Sequence, residues 1–405
     1  MTGSTARVYD ALMRNCLSLA LVAAGFVAIN ACGGEEQPPP KAPEAPPPPA
    51  SSAPVASAEP PKAPEPPKKS PMELQKENMG AMVEGMNTHD AKKVASAFSD
   101  GAVLKVAGAP SDASGKEAIA QAYQKLFDAF PDMKTGASRV FVKGDTVAVE
   151  WAFTGTHKGD LWGIKATEKP VGAQGADVMM FTPEGQIKEL HTYYDGGTIL
   201  SQAGISKQKA RAIPTLASKP EVIVSTGGPD EAKNVEIVKK LADALNAKKE
   251  ADFLANLADN VEYDDYTQPQ GMKGKADAKK FFKEMTTGVP DGKHTIGNCM
   301  GVNDYTLCEE TMEGTHKGTF FGIPATKKAL NLKHMTVYQF KDGKMVRGWA
   351  YANGADMAMQ LGLMPKPGAA PAGKPGDKPA AGGAPAGKPG DTKTPVTAPK
   401  PADKK

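Results

Sequence analysis

The chain has 405 residues and 35 prolines, of which 15 lie between Gln37 and Pro71 and 10 between Pro365 and Pro401. These flanks carry almost no aromatic or large aliphatic side chains and cannot bury enough apolar surface to offset the entropy of ordering, which excludes one globule spanning the whole sequence. The formal charge of +3 gathers in the tail from Lys366, with eight Lys against three Asp. The block between the flanks is close to neutral, so no nucleic-acid partner is expected, since such a surface needs clustered Lys and Arg.

At the N-terminus, Arg7 and Arg14 precede the apolar run Cys16 to Ala31, followed by Cys32 and Gly33-Gly34. A basic segment, an apolar segment and a small residue before the cut make a secretory signal. The run is shorter than the ~20 residues of a spanning helix. Ile29-Asn30-Ala31-Cys32 resembles the bacterial lipobox, with Asn30 where a small residue is usual. Residues 1–31 are therefore expected to be a lipoprotein signal peptide and Cys32 the lipidation site, placing the protein in the cell envelope, anchored on the periplasmic or cell-surface side. An uncleaved anchor, or a conventional signal with an incidental Cys, are the alternatives. Residues 32–71 read as a Pro-rich stalk, which as polyproline II at ~3.1 Å per residue reaches on the order of 100 Å. The tail, 366–405, repeats AGKPGD and reads as disordered by composition.

The middle block repeats itself. Gly155-Thr156-His157-Lys158-Gly159 recurs as Gly314-Thr315-His316-Lys317-Gly318, an offset of 159. The same offset pairs Gly163-Ile164 with Gly322-Ile323, Ala166-Thr167 with Ala325-Thr326, and Pro131-Asp132 with Pro290-Asp291. After a one-residue deletion the offset is 158, pairing Gly185 with Gly343 and Tyr193 with Tyr351. Two copies of one domain follow, at 72–206 and 230–365, joined by a linker at 207–229.

In each copy an amphipathic helix (74–86; 235–245) leads to a short helix (91–98; 251–257), a strand (103–106; 261–263) and a third helix (116–129; 276–285). In the first copy strands follow at 138–142, 146–156, 175–181 and 187–194, joined by Gly144-Asp145 and Pro183-Glu184-Gly185. Helices followed by an antiparallel meander define an α+β fold.

This order, the GTHKG…GIxATxK text and the closing Gln-x-Gly resemble the SnoaL-like polyketide cyclases, or ester cyclases, of the nuclear-transport-factor-2-like superfamily. The resemblance implies two cone-shaped domains, each a curved sheet wrapped on helices around a pocket. It also implies a general acid/base Asp near the last strand, best matched by Asp195. His191, Tyr193 and Asp195 share one strand face, which is expected to point into the cone. There the apolar surroundings would raise the carboxyl pKa, His191 would share the proton and Tyr193 would stabilise an enolate oxygen. The competing reading is that these are satisfied polar groups at a strand end, with Asp195 capping the turn at Gly196-Gly197.

The second copy has Trp349, Tyr351 and Asn353 at the three positions, and Asn353 cannot serve as a base. Trp151, Trp349 and Tyr351 suit an apolar pocket. His157 and His316 either bind ligand or hold the loop between GT and KG. The six His show no metal-ligand spacing, so no metal and no cofactor are expected. With Asn303-Asp304 at a hairpin turn, Cys299 and Cys308 stand opposite each other and can form a disulfide, although Val140 and Val149 at the equivalent places show that an apolar pair also fits. The expected function is binding of a small apolar molecule, or scaffolding, with the domains packing as an internal pseudo-dimer or forming a homo-dimer. The alternative is a cyclase-like or isomerase-like enzyme using Asp195.

Overall fold

The computed structural model describes residues 69–364. The signal segment, Cys32, almost all of the stalk and the basic tail lie outside the described residues. Among the described residues no helix is long and apolar enough to cross a membrane.

The first domain runs α1 (Pro71–Thr88), α2 (Ala91–Ser96), β1 (Phe98–Val106), β2 (Ala113–Ser114), α3 (Lys116–Ala129), β3 (Lys134–Lys143), β4 (Thr146–Thr156), β5 (Pro170–Phe181), β6 (Ile187–Tyr194) and α4 (Gly196–Gln202). The strand β7 (Glu221–Val224) follows. The second domain repeats the order as α5 (Pro229–Asn246), α6 (Glu250–Ala255), β8 (Leu257–Asp265), β9 (Met272–Lys273), α7 (Gly274–Gly288), β10 (Lys293–Val302), β11 (Tyr305–Thr315), β12 (Ala329–Lys341), β13 (Lys344–Tyr351) and α8 (Gly354–Gln360). Local chemistry sets the helix starts. Ser70 and Glu73 form a capping box around Pro71, and Asp90 accepts the Lys93 N–H at the head of α2. In α3, Ile119, Ala120, Tyr123 and Phe127 recur at helical spacing and are buried on one face.

The sheets are ordered β2-β1-β6-β5-β4-β3-β7 and β10-β11-β12-β13-β8-β9. The antiparallel meanders are the expected ones. Each is closed by a parallel pair, β1 with β6 and β8 with β13, because the first strand of each domain lies a long crossover away from the last. Several features depart from what the sequence leads one to expect, among them the two-residue strands β2 and β9 and the early end of α2 at Ser96, with Phe98 already in β1. The segment expected as a linker supplies β7, which adds to the edge of the first sheet parallel to β3. The turn expected after Asp195 is the short helix α4, with α8 as its counterpart; seven residues are too few for a helical period to register in sequence. Most strands also run a few residues past their expected ends.

Both faces of each sheet are buried. On one face Val147, Val149 and Phe153 of β4, Met179 and Phe181 of β5 and Leu190 of β6 pack on the first domain's helices. The second domain repeats this with Cys308, Tyr338 and Phe340 against Ile237, Leu241 and Phe282. On the other face Phe141, Ala148, Ala176, Val178 and Tyr193 meet Val302, Leu307, Met335, Val337, Trp349 and Tyr351 in one cluster, so the sheets bury their outer faces against each other. At the joint, the Glu231 carboxylate accepts the backbone N–H groups of Thr226 and Asn303 and the Lys143 ammonium, which ties β7, α5 and β3 together.

Candidate functional site

Strand alternation puts His191, Tyr193 and Asp195 on one face, but it is the face turned away from the helices. Leu190 and Tyr194 take the helix side, while Tyr193 sits in the inter-domain cluster. The expected placement in the cone is therefore corrected. Asp195 caps α4, accepting the N–H groups of Gly197 at 2.9 Å and Thr198 at 2.8 Å, and it accepts a third from Gly354 of the second domain at 2.8 Å. Burial raises its carboxyl pKa, against the pull of these donors. His191 bonds Glu309 of the second domain through Nδ1 and Glu189 through Nε2 at 2.7 Å. Burial opposes its charge, but the two carboxylates outweigh burial and hold its pKa above the ordinary value. The Tyr193 hydroxyl donates to Glu309 at 2.7 Å.

Trp349 and Tyr351 face the same interface rather than a pocket. The Arg139 guanidinium lies 3.7 Å from the Trp349 ring centre, and Tyr351 donates to Glu150 at 2.6 Å. The two halves mirror each other, since Glu150 and Glu309 are repeat equivalents, as are Tyr193 and Tyr351.

In the shared GTHKG text the histidines bond within their own loop through Nδ1. His157 and His316 are buried, and each Nδ1 lies 3.0 Å from the hydroxyl of Thr167 or Thr326 in the GIxATxK segment. The His157 carbonyl accepts the Thr167 and Glu168 N–H groups, which closes the loop on itself. The final glycine of the motif is dictated by space: a Cβ on Gly159 would sit 2.1 Å from the Asp128 carbonyl oxygen, and one on Gly318 2.3 Å from that of Thr287. Neither histidine lines the cavity described below. Cys299 pairs with Cys308 across the β10–β11 hairpin, and their sulfurs are bonded to each other.

A cavity of about 100 Å³ opens on the helix side of the second sheet. Helices α5 and α7 supply only apolar lining, such as Leu241 and Phe281, and five polar groups come from the strands: Tyr263, His294, Glu310, His334 and Tyr338. Glu310 lies between β10 and β12, opposite His334. Its carboxylate accepts the Tyr338 hydroxyl at 2.6 Å and faces His334 Nε2 at 3.5 Å. Burial disfavours charge on His334, but the Glu310 hydrogen bond and charge, with Asp265 adding to them, raise its pKa overall. Burial and the neighbouring His334 push His294 down to about 4, leaving it neutral near pH 7.

These residues fall in no motif of the sequence, although the repeat offset contains their signal. At offset 159, Glu310 replaces Trp151 and His334 replaces Gly175. Trp151 pairs with Gly175 across β4 and β5, and its ring covers the glycine so closely that a Cβ there would lie 2.3 Å from it. Trp151 also stands against Phe153 and Tyr194, at 6.4 and 6.1 Å between ring centres. It thus fills the helix side of the first domain. The buried acid there is Asp177, which burial pushes up to about 6 while the Thr192 hydroxyl, 2.6 Å away, pulls it back.

The family model for SnoaL-like polyketide cyclases matches residues 76–203 and again 235–361. The chain belongs to this family and carries it twice. No curated protein matches the chain. Among solved structures it is similar to a protein from Jannaschia sp. CCS1 assigned to the SnoaL-like polyketide cyclases (18% identity, 34% of this chain and 97% of that one, TM-score 0.32). It is likewise similar to TsrD from Streptomyces laurentii (18% identity, 34% and 100% covered, TM-score 0.31). A third is a protein from Pseudomonas putida KT2440 assigned as a polyketide cyclase (23% identity, 31% and 96% covered, TM-score 0.28).

Proposed function

We propose that this protein is an exported, membrane-tethered binding member of its family, in which the second domain takes up a small, largely apolar molecule and the first serves as its structural partner. The observation that carries this reading is the exchange of Trp151 and Gly175 for Glu310 and His334 at repeat-equivalent positions. The first pair fills space, whereas the second lines a cavity with a few convergent polar groups in apolar walls, the usual composition of a small-molecule site. Catalysis at Asp195 has less support, because three backbone donors occupy its carboxylate on the face away from the cavity. The membrane setting rests on the signal and lipobox-like text around Cys32.

Native mass spectrometry of the full-length protein from its own membranes is expected to reveal a bound small molecule. Ala278→Leu, which extends a buried lining residue into the cavity, is expected to remove that mass without unfolding the protein. A bound mass that survives the substitution overturns the site. For the tether, Cys32→Ser is expected to move the protein from the membrane to the soluble fraction.

A further inference from the structure

We propose that the second-domain cavity selects a small organic cation, an alkylammonium of about the size of choline, seated on the Glu310 carboxylate within aromatic walls. This rests on the reading of the cavity as a ligand site.

Four rings, Phe253, Tyr263, Phe281 and Tyr338, line the same cavity as Glu310. Phe281 stands 6.4 Å from Phe253 and 5.9 Å from Tyr263 between ring centres, so these rings form a continuous wall. Ring faces carry partial negative charge and attract cations most strongly where water is excluded. Among the described residues no Lys or Arg lines the cavity. The Glu310 carboxylate therefore meets the Tyr338 hydroxyl and the titratable His334 but no permanent cation there, and a carboxylate in apolar surroundings is costly unless paired with charge.

The groups around Glu310 are Tyr338 and His334 on β12, His294 on β10 and Tyr263 on β8, while Asp265 of β8 acts on His334. Of these, only His334 supplies positive charge near neutral pH, at 3.5 Å. A ligand cation and the His334 proton therefore compete for one carboxylate. Below the His334 pKa the internal pair satisfies Glu310 and opposes the ligand. Above it the imidazole is neutral and the carboxylate is free to take the cation, so binding strengthens as pH rises and releases a proton.

The test is calorimetric titration of the full-length protein with choline and with its neutral carbon isostere, in which a quaternary carbon replaces the nitrogen. Choline is expected to bind about tenfold tighter than the isostere well above the His334 pKa, with the ratio falling toward unity well below it. Glu310→Gln is expected to abolish the preference, and Phe281→Leu, which keeps an apolar wall, to reduce it several-fold. Equal affinities at the higher pH overturn the cation preference and leave the cavity as an apolar site. Binding of neither compound overturns the inference, while the reading of the cavity as a ligand site stands or falls on the native mass of the bound species.

Discussion

The Asp195 carboxylate accepts the backbone N–H of Gly354 at 2.8 Å, carrying a helix cap of the first domain across to the second. Its repeat equivalent Asn353 caps α8 and accepts the Gly196 N–H at 3.3 Å in return. If Asp195 is a cap, acceptor oxygens at that place are what the fold needs. Asp195→Asn is expected to shift stability little, while Asp195→Ala costs about 1–2 kcal/mol. Thermal unfolding of both variants checks this. Equal loss in both would show that the second acceptor oxygen or the charge, both absent from Asn, is required.

The interface also titrates. Because the folded-state pKa of His191 is raised, its contribution to stability is fully present below the unfolded value near 6.5 and is lost as pH rises through the folded value. Melting temperatures of the parent protein and His191→Gln, followed across that window, are expected to converge toward alkaline pH. A constant gap would show that the imidazole acts by packing alone.

Gly175 is kept free of a side chain by Trp151. Gly175→Ala forces a methyl group to within 2.3 Å of the indole and is expected to cost about 1–3 kcal/mol through overpacking. Gly101→Ala, where nothing lies within reach of the added methyl, is the control. Chemical denaturation of the two variants tests whether the first domain is closed by this contact.

The Cys299–Cys308 bond closes a short hairpin loop. Intact mass is expected to rise by about two daltons on reduction, and replacing both residues by the Val pair of the first domain is expected to lower stability by about 2 kcal/mol. No mass change on reduction would show that the two thiols are free.

The sequence by itself determined the duplication, the order of the three leading helices and the main strands of each copy, and the hairpin register. Repeat offsets and turn residues are local or self-referential signals, so Asn303-Asp304 sufficed to set Cys299 opposite Cys308. It also put His191, Tyr193 and Asp195 together, since alternation along a strand is a backbone property. Only the tertiary structure decided which way that face looks. The helices cover one side of each sheet and the sister sheet covers the other, so β4 and β5 are apolar on both faces, and a strand buried on both sides carries no alternation to tell inside from outside. The same ambiguity hid the cavity: Glu310 and His334 look like surface polar residues in a strand until the sheet that holds them is seen to close over them.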